Sequence, residues 1–394
     1  MASTKVESKG ARSSSAGFLR KYIGRYEIIM VILNIALFLY FYSVTPRYLS
    51  PANTYTLLTY AADLGILTVP QAIIMMLGMI DLSPTGIANL VPLIDWSLWQ
   101  YFMGAGIPYT PALIVATIIA WLLAAFIGFV NGILITKGNV NFLLATVGML
   151  FLTDGLALIG WGGWPETFPG ADKAPYFSGV ISGVIPMTFV WTLVIAVLYM
   201  ILFYRTRFGV YVTATGSNQT WARESGVPAD KIIIIAYILT GLAGGILGVI
   251  DGSRVREVSA TNFTTDLTLE SIAAAVIGGT MLTGGKGTLI GSFLGAFVIA
   301  QLLDGFTVLG VNAYAYDAII GAAILILMVF TGKKDDIIRY FRRASSLRMR
   351  EEETEATEKK GTNEGTLTQD GGSKDVNNDI NANKDTDTNN NPRG

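Results

Sequence analysis

Residues 57–204 carry only two basic side chains, Lys137 and Lys173. A water-exposed surface needs charges of both signs spread across it, and a stretch this long with two cations cannot make one. Its apolar runs are divided by short Gly- and Pro-containing segments, so lipid takes the place of water as solvent. In lipid every backbone N–H and C=O must be satisfied within the protein, which leaves helices and closed barrels. The runs approach the roughly 20 residues that a helix needs to cross a bilayer. The expected fold class is therefore all-α, a polytopic transmembrane bundle. Composition agrees: 14% of residues are charged, against about a quarter in soluble domains.

Hydropathy marks about ten candidate spans, at 27–43, 57–80, 85–103, 111–135, 142–159, 181–204, 232–250, 269–282, 288–303 and 316–330. About eight would suit the termini equally well. The third, eighth and ninth are short or Gly-rich. They read as broken or re-entrant helices, which are tolerated where they pack against protein. Lys5, Lys9, Arg12, Arg20, Lys21 and Arg25 precede the first span, and Lys333, Lys334, Arg339, Arg342 and Arg343 follow the last. Lys137, Arg205, Arg207, Arg223, Lys231 and Lys286 thread to the same side, leaving Arg47, Lys173, Arg254 and Arg256 opposite. Positive charge marks the cytoplasmic side, so both termini are expected in the cytoplasm of a multi-pass cell-membrane protein. The polar first 25 residues show no cleavable signal, and the first span is expected to direct its own insertion.

Four segments follow: a basic cytoplasmic piece at 1–26, a transmembrane domain at 27–332, a basic juxtamembrane piece at 333–350 and an acidic tail at 351–394. The tail has too few apolar residues to offset ordering entropy, so disorder is expected.

The chain has no Cys and no His. Disulfides, thiol nucleophiles, His-based acid–base chemistry and ordinary zinc sites are excluded, and no metal or cofactor is expected. Lys286, in a Gly-rich loop, resembles a phosphate-binding lysine. Thr280 stands where that motif opens with Gly, however, and Gly287 stands where it needs Ser or Thr. Any ATP chemistry must come from another chain.

Polar residues in the spans are the remaining signal. Asp81-Leu82-Ser83-Pro84 lies between two apolar runs. Ser83 as N-cap and Pro84 at the first helical position make a good helix start. A carboxylate at such a break also suits a polar path. Asp251 and Asp304 are expected at span ends, and Glu270 at a helix N-terminus, where its charge is favoured. Asp95 and Asp317 lie in or near spans as well. Asp63 and Asp154 have no simple structural explanation, and no Lys or Arg is expected within the spans to pair with these acids. Gly241 and Gly245, and Gly291 and Gly295, are four apart, so each pair shares a helix face and permits close packing. Trp96, Trp99, Trp161 and Trp164 fit an interfacial aromatic belt. In the loop 205–231, a short helix over 217–225 is expected to end at Gly226, with Pro228 beyond.

Four ordered motifs resemble the permease subunits of ribose/xylose-type ABC sugar importers. They are Gly78-Met79-Ile80-Asp81-Leu82-Ser83, then Gly128-Phe129-Val130-Asn131-Gly132, then Thr206-Arg207-Phe208-Gly209 with Gly216-Ser217-Asn218, Ala222 and Ser225-Gly226. The fourth and most specific is Ile272-Ala273-Ala274-Ala275-Val276-Ile277-Gly278-Gly279-Thr280 with Leu282-Thr283-Gly284-Gly285, Gly287 and Gly291. Order and spacing hold over 57–330.

The resemblance implies a homodimer around a central path for a monosaccharide, a pentose or hexose, with Asp81, Ser83, Asn131 and Asp154 as path candidates. Trp96, Trp99, Trp161 and Trp164 acquire a second reading, stacking on sugar rings. Gly216, Asn218, Ala222, Glu224, Ser225 and Gly226 would form the loop on which a cytoplasmic ATP-binding subunit docks. Gly241, Gly245, Gly278, Gly279, Gly284, Gly285, Gly291 and Gly295 would pack helices. An extracellular or periplasmic sugar-binding protein would deliver substrate, and the chain itself would perform no bond chemistry. Nucleic acid is not an expected partner. A permease for a nucleoside or amino acid, and an ion-coupled carrier using Asp63, Asp81 and Asp154, are the alternatives. Met79 departs from the family's second Gly, Pro84-Thr85-Gly86 from its usual turn, and Asp154-Gly155 from its frequent Arg-Gly. The acidic tail has no counterpart.

Overall fold

The apolar runs fold into helices. A computed structural model describes residues 25–312 other than 171, and positions 315, 318, 321, 322 and 325. The chain divides into two units, Met1–Thr331 and Gly332–Gly394. The basic juxtamembrane piece and acidic tail lie outside the described residues, as do 1–24 and most of the expected span 316–330.

The helices are α1 (Arg25–Val44), α2 (Pro51–Met76), α3 (Pro84–Gly104), α4 (Tyr109–Thr136), α5 (Phe142–Trp161) and the short α6 (Pro175–Ser178). They continue as α7 (Met187–Arg205), α8 (Arg207–Ser217), α9 (Gln219–Glu224), α10 (Ala229–Val255), α11 (Thr265–Ile277) and α12 (Leu289–Val308). Among the described residues seven are long and apolar enough to cross a membrane: α1, α2, α4, α5, α7, α10 and α12. The chain is an all-α, multi-pass membrane protein.

Of the three weak spans, one is short as expected. α3 is instead a continuous helix of 21 residues; it carries buried Asn89 and Asp95 and is not among the seven. α11 has 13 residues, about 20 Å of helix, too short for the hydrocarbon layer. The ninth was underestimated: α12 runs 20 residues from a Thr288 cap whose hydroxyl accepts from the Gly291 N–H. The expected start of the sixth span is displaced, because 180–186 forms a small hairpin before α7.

Local signals set the boundaries. Ser50 caps α2 by accepting from the Asn53 N–H, with Pro51 in the first turn. Asn141 caps α5, and Gly162, at φ +66°, ends it. α2 and α10 are central, with 78% and 72% of their apolar windows buried, whereas α1 is 17% buried and peripheral. The extended pieces β1 (Glu166–Thr167) and β4 (Glu257–Val258) pair antiparallel, beside a hairpin of β2 (Val180–Ile181) and β3 (Ile185–Pro186).

The principal core packs α10 against α3 and α4, and α2 against α12. On the α4–α10 face there is almost no side-chain padding. A Cβ on Gly132 would sit 2.7 Å from Ile234 Cα, one on Gly241 2.6 Å from the Ala124 carbonyl oxygen, and one on Gly128 against the Tyr237 carbonyl. A Cβ on Gly245 would meet the Ala124 methyl. Small residues thus let the two backbones touch, as helix packing in lipid favours.

Gly132→Leu should accordingly lower stability by about 1–3 kcal/mol through overpacking, read as an earlier thermal midpoint of the detergent-solubilised protein. Gly148→Leu in α5, where a Cβ meets nothing within 4 Å, should leave the midpoint near wild type.

Candidate functional site

Between α2 and α3 the chain leaves helical geometry for seven residues, 77–83. Gly78 turns the chain at φ +78°, with its N–H on the Met75 carbonyl at 2.8 Å and the Met79 N–H on Ile74 at 3.2 Å. One carboxylate oxygen of Asp81 accepts from the Ser83 N–H (2.9 Å) and Ser83 hydroxyl (2.7 Å). Its other oxygen accepts from Thr240 Oγ1 of α10 at 2.5 Å. Asn131 Nδ2 of α4 donates to Ser83 Oγ at 3.0 Å, and Tyr237 Oη of α10 to the Ile80 carbonyl at 3.3 Å.

Asp81, Ser83 and Asn131 are thus brought together, and all three are fully buried. Together they form a polar latch that holds the break against α4 and α10. Ser83 does not cap α3 through its side chain; its hydroxyl is engaged by Asp81 and Asn131, and Pro84 starts the helix. Asn131 Oδ1 is buried without a partner among the described residues.

Asp154 stands apart from this group. It is half-buried on α5 and accepts from Asn89 Nδ2 at 3.1 Å. The Asn89 side chain also bonds the Phe263 backbone, donating to its carbonyl (3.1 Å) and accepting from its N–H (2.9 Å). Asn89, Thr240 and Tyr237 escaped the sequence reading; polar residues at helical spacing beside Gly241 were the available signal.

Asp251 lies four residues before the end of α10 and Asp304 four before the end of α12, both near span ends. Asp251 is buried, and Arg254 Nε donates to it at 2.7 Å. Arg254 thus serves Asp251 near the end of α10, whereas Asp63 Oδ1 is buried without a partner among the described residues. Asp304 is fully buried and accepts from Asn53 Nδ2 at 2.8 Å. Glu270 lies beyond the first turn of α11, which Asp266 occupies. Asp95 accepts from Thr117 Oγ1 at 2.9 Å. Asp63, Asp81 and Asp154 engage different partners and form no common cluster. Trp99 is buried edge-on to Tyr109, Trp161 Nε1 donates to Ser97 at 3.1 Å, Trp96 packs against the core and Trp164 is exposed.

The second break, 278–288, separates α11 from α12. A Cβ on Gly278 would meet Gly291 and Ser292, and one on Gly295 the Ala274 carbonyl, so α11 and α12 approach closely there. Gly279, Gly284 and Gly285 do not lie on a helix face: their φ values of +97°, +83° and +76° place them in turns. The Gly285 N–H donates to the Met76 carbonyl at 2.8 Å, joining the second break to the end of α2. Gly216, in the last turn of α8, leaves no room for a Cβ, which would meet the Met76 carbonyl and stand 2.9 Å from Gly285 N. Three motifs far apart in sequence therefore meet at one joint. Glu27 and Tyr204 brace it, Glu27 Oε1 accepting from Thr288 Oγ1 at 2.5 Å and Tyr204 Oη from the Leu289 N–H at 3.0 Å.

The loop 205–231 holds two helices. Thr206 caps α8, its hydroxyl accepting from the Phe208 N–H. The expected short helix is α9, capped by Asn218 Oδ1 on the Trp221 N–H at 3.1 Å. Ala222 is its buried residue, Glu224 its last and Ser225 its C-cap. Gly226, at φ +82°, turns the chain toward α10.

Residues 53–329 match the family described as branched-chain amino acid transport system / permease component, and the chain belongs to that family. It is 45% identical over 309 residues to the xylose/arabinose import permease protein XylH of Sulfolobus acidocaldarius, covering 78% of this chain and 85% of the relative. It is 31% identical over 297 residues to the ribose import permease protein RbsC of Escherichia coli, covering 74% and 89%. The autoinducer 2 import system permease protein LsrC of Salmonella typhi is 30% identical over 312 residues, 78% of this chain and 86% of the relative. No solved structure matches the chain.

Asp81→Ala should leave the Ser83 N–H and hydroxyl without their acceptor and Thr240 with only the Tyr237 carbonyl. Each unsatisfied group costs about 1–3 kcal/mol, so the thermal midpoint should fall clearly, whereas Asp154→Ala, at a half-buried position, should lower it less.

Proposed function

We propose that this chain is the membrane-spanning permease subunit of an ATP-driven importer and conducts a pentose or hexose into the cell. The observation that carries this reading is the 45% identity to a xylose/arabinose import permease across 309 residues. The failed phosphate-binding pattern around Lys286 agrees with it, since ATP hydrolysis then belongs to a separate subunit and this chain catalyses no bond chemistry.

In this reading two permease copies enclose the path, both termini face the cytoplasm, and a binding protein outside delivers the sugar. An ATP-binding subunit docks on the loop from Gly216 to Gly226. The latch of Asp81, Ser83 and Asn131 is the gate: its partners sit on α4 and α10, and its release lets the break at 77–83 line the path, with Asp154 and Asn89 further along α5 and α3. A switch of this kind needs contacts that differ between two states. Sugar delivery on one side and nucleotide on the other are then linked reciprocally.

The test is uptake by proteoliposomes holding this chain with its ATP-binding and sugar-binding partners, offered labelled D-xylose, L-arabinose, D-ribose and D-glucose. ATP-dependent accumulation of at least one is expected. Uptake driven by an ion gradient without ATP would instead support a secondary carrier. Ala222→Trp, at the one buried side chain of α9, should displace that helix and cut ATP-dependent uptake about tenfold or more, the effect of ~1.4 kcal/mol lost from docking.

A further inference from the structure

α9 is six residues long and Ala222 is its one buried side chain. It connects to α10 through Gly226, where a Cβ would meet nothing within 4 Å. Between α9 and the start of α10 lies a cavity of about 450 Å³, lined by Lys137, Arg223 and residues 226–231. Packing therefore does little to fix α9 to the bundle on this side.

One carboxylate crosses the cavity. Asp230, in the first turn of α10, accepts from Arg223 Nη2 of α9 at 2.6 Å and from Lys137 Nζ, at the end of α4, at 2.7 Å. The two cations use different oxygens of the same side chain. The helices it joins are the pair whose backbones touch through Gly128, Gly132 and Gly241, and close-packed contacts transmit displacement rather than absorb it. The same two helices carry Asn131 and Thr240, which hold the Asp81 latch.

We propose that Asp230 is a positioning residue that fastens α9 to α4 and α10, so that movement of α9 reaches both helices and the latch between them. That α9 is moved by an ATP-binding subunit rests on the function proposed above; that Asp230 fastens it does not. Exposed ion pairs add little to global stability, so the consequence of losing Asp230 lies in where α9 sits rather than in whether the bundle folds.

The absence of cysteine makes Trp221→Cys a unique spin-label site on α9, at a residue 71% exposed. In the full-length protein, Asp230→Asn should sharpen the label's spectrum, reporting a freer α9, and Asp230→Glu should restore the broad line. Lys137→Gln combined with Arg223→Gln should sharpen it as Asp230→Asn does, which covers the case in which Asp230→Asn fails to fold. In the assembled transporter, the sugar taken up per ATP hydrolysed, measured with the four sugars named above, should fall about fivefold in Asp230→Asn, the lower end of inter-site coupling effects, and recover in Asp230→Glu. An unchanged spectrum in both variants overturns the proposal, as does a sharpened spectrum with an unchanged uptake ratio. If the wild-type assembly takes up none of the sugars with ATP, the transport reading fails and the spectra alone decide whether Asp230 fastens α9.

Discussion

A helix that stops within a packed bundle leaves backbone groups that need partners. Two such stops, at 77–83 and at 278–288, meet in this chain, and the surrounding architecture arranges partners for those ends. The Gly285 N–H reaches the Met76 carbonyl, so one break helps to satisfy the other. Asp81, Ser83, Asn131, Thr240 and Tyr237 supply further bonds at the first.

Closeness makes this possible, and glycine makes closeness possible. Gly216 lies where any side chain would strike the Met76 carbonyl, and Gly284 and Gly285 turn under it. The same device holds α4 to α10. The loop 205–231 thus meets the bundle by two routes: backward through Gly216 to both breaks, and forward through Asp230 to the helices that close the latch.

Much of this was legible in the chain. Long apolar runs announced seven of the spans, because their length and hydropathy respond to bilayer thickness alone. The Asn218 cap and Gly226 announced α9, since capping is local chemistry. The grouping of Asp81, Ser83 and Asn131 followed from motif resemblance, whereas the separation of Asp154 was invisible, because spacing along a chain says little about which helices become neighbours. Gly279, Gly284 and Gly285 read as packing residues and proved to be turn residues; glycine serves both ends, and only φ distinguishes them. Arg254 reads as lying outside the spans because hydropathy ends at 250, whereas α10 runs to Val255, and the Asp251–Arg254 pair is hidden with it. Glu27 and Tyr204 gave no signal at all, since their roles depend on a contact with residues far along the chain.

The end of α8 rests on the second break. Ser217 Cβ lies 3.3 Å from where a Cβ on Gly285 would stand, just under the roughly 3.5–4.5 Å that a disulfide spans. In this cysteine-free chain, Ser217→Cys with Gly285→Cys should form an internal disulfide under mild oxidation in membranes, seen as a reductant-sensitive mobility shift that neither single variant shows. A double variant that stays fully reduced and labels with maleimide at both positions would contradict the joint.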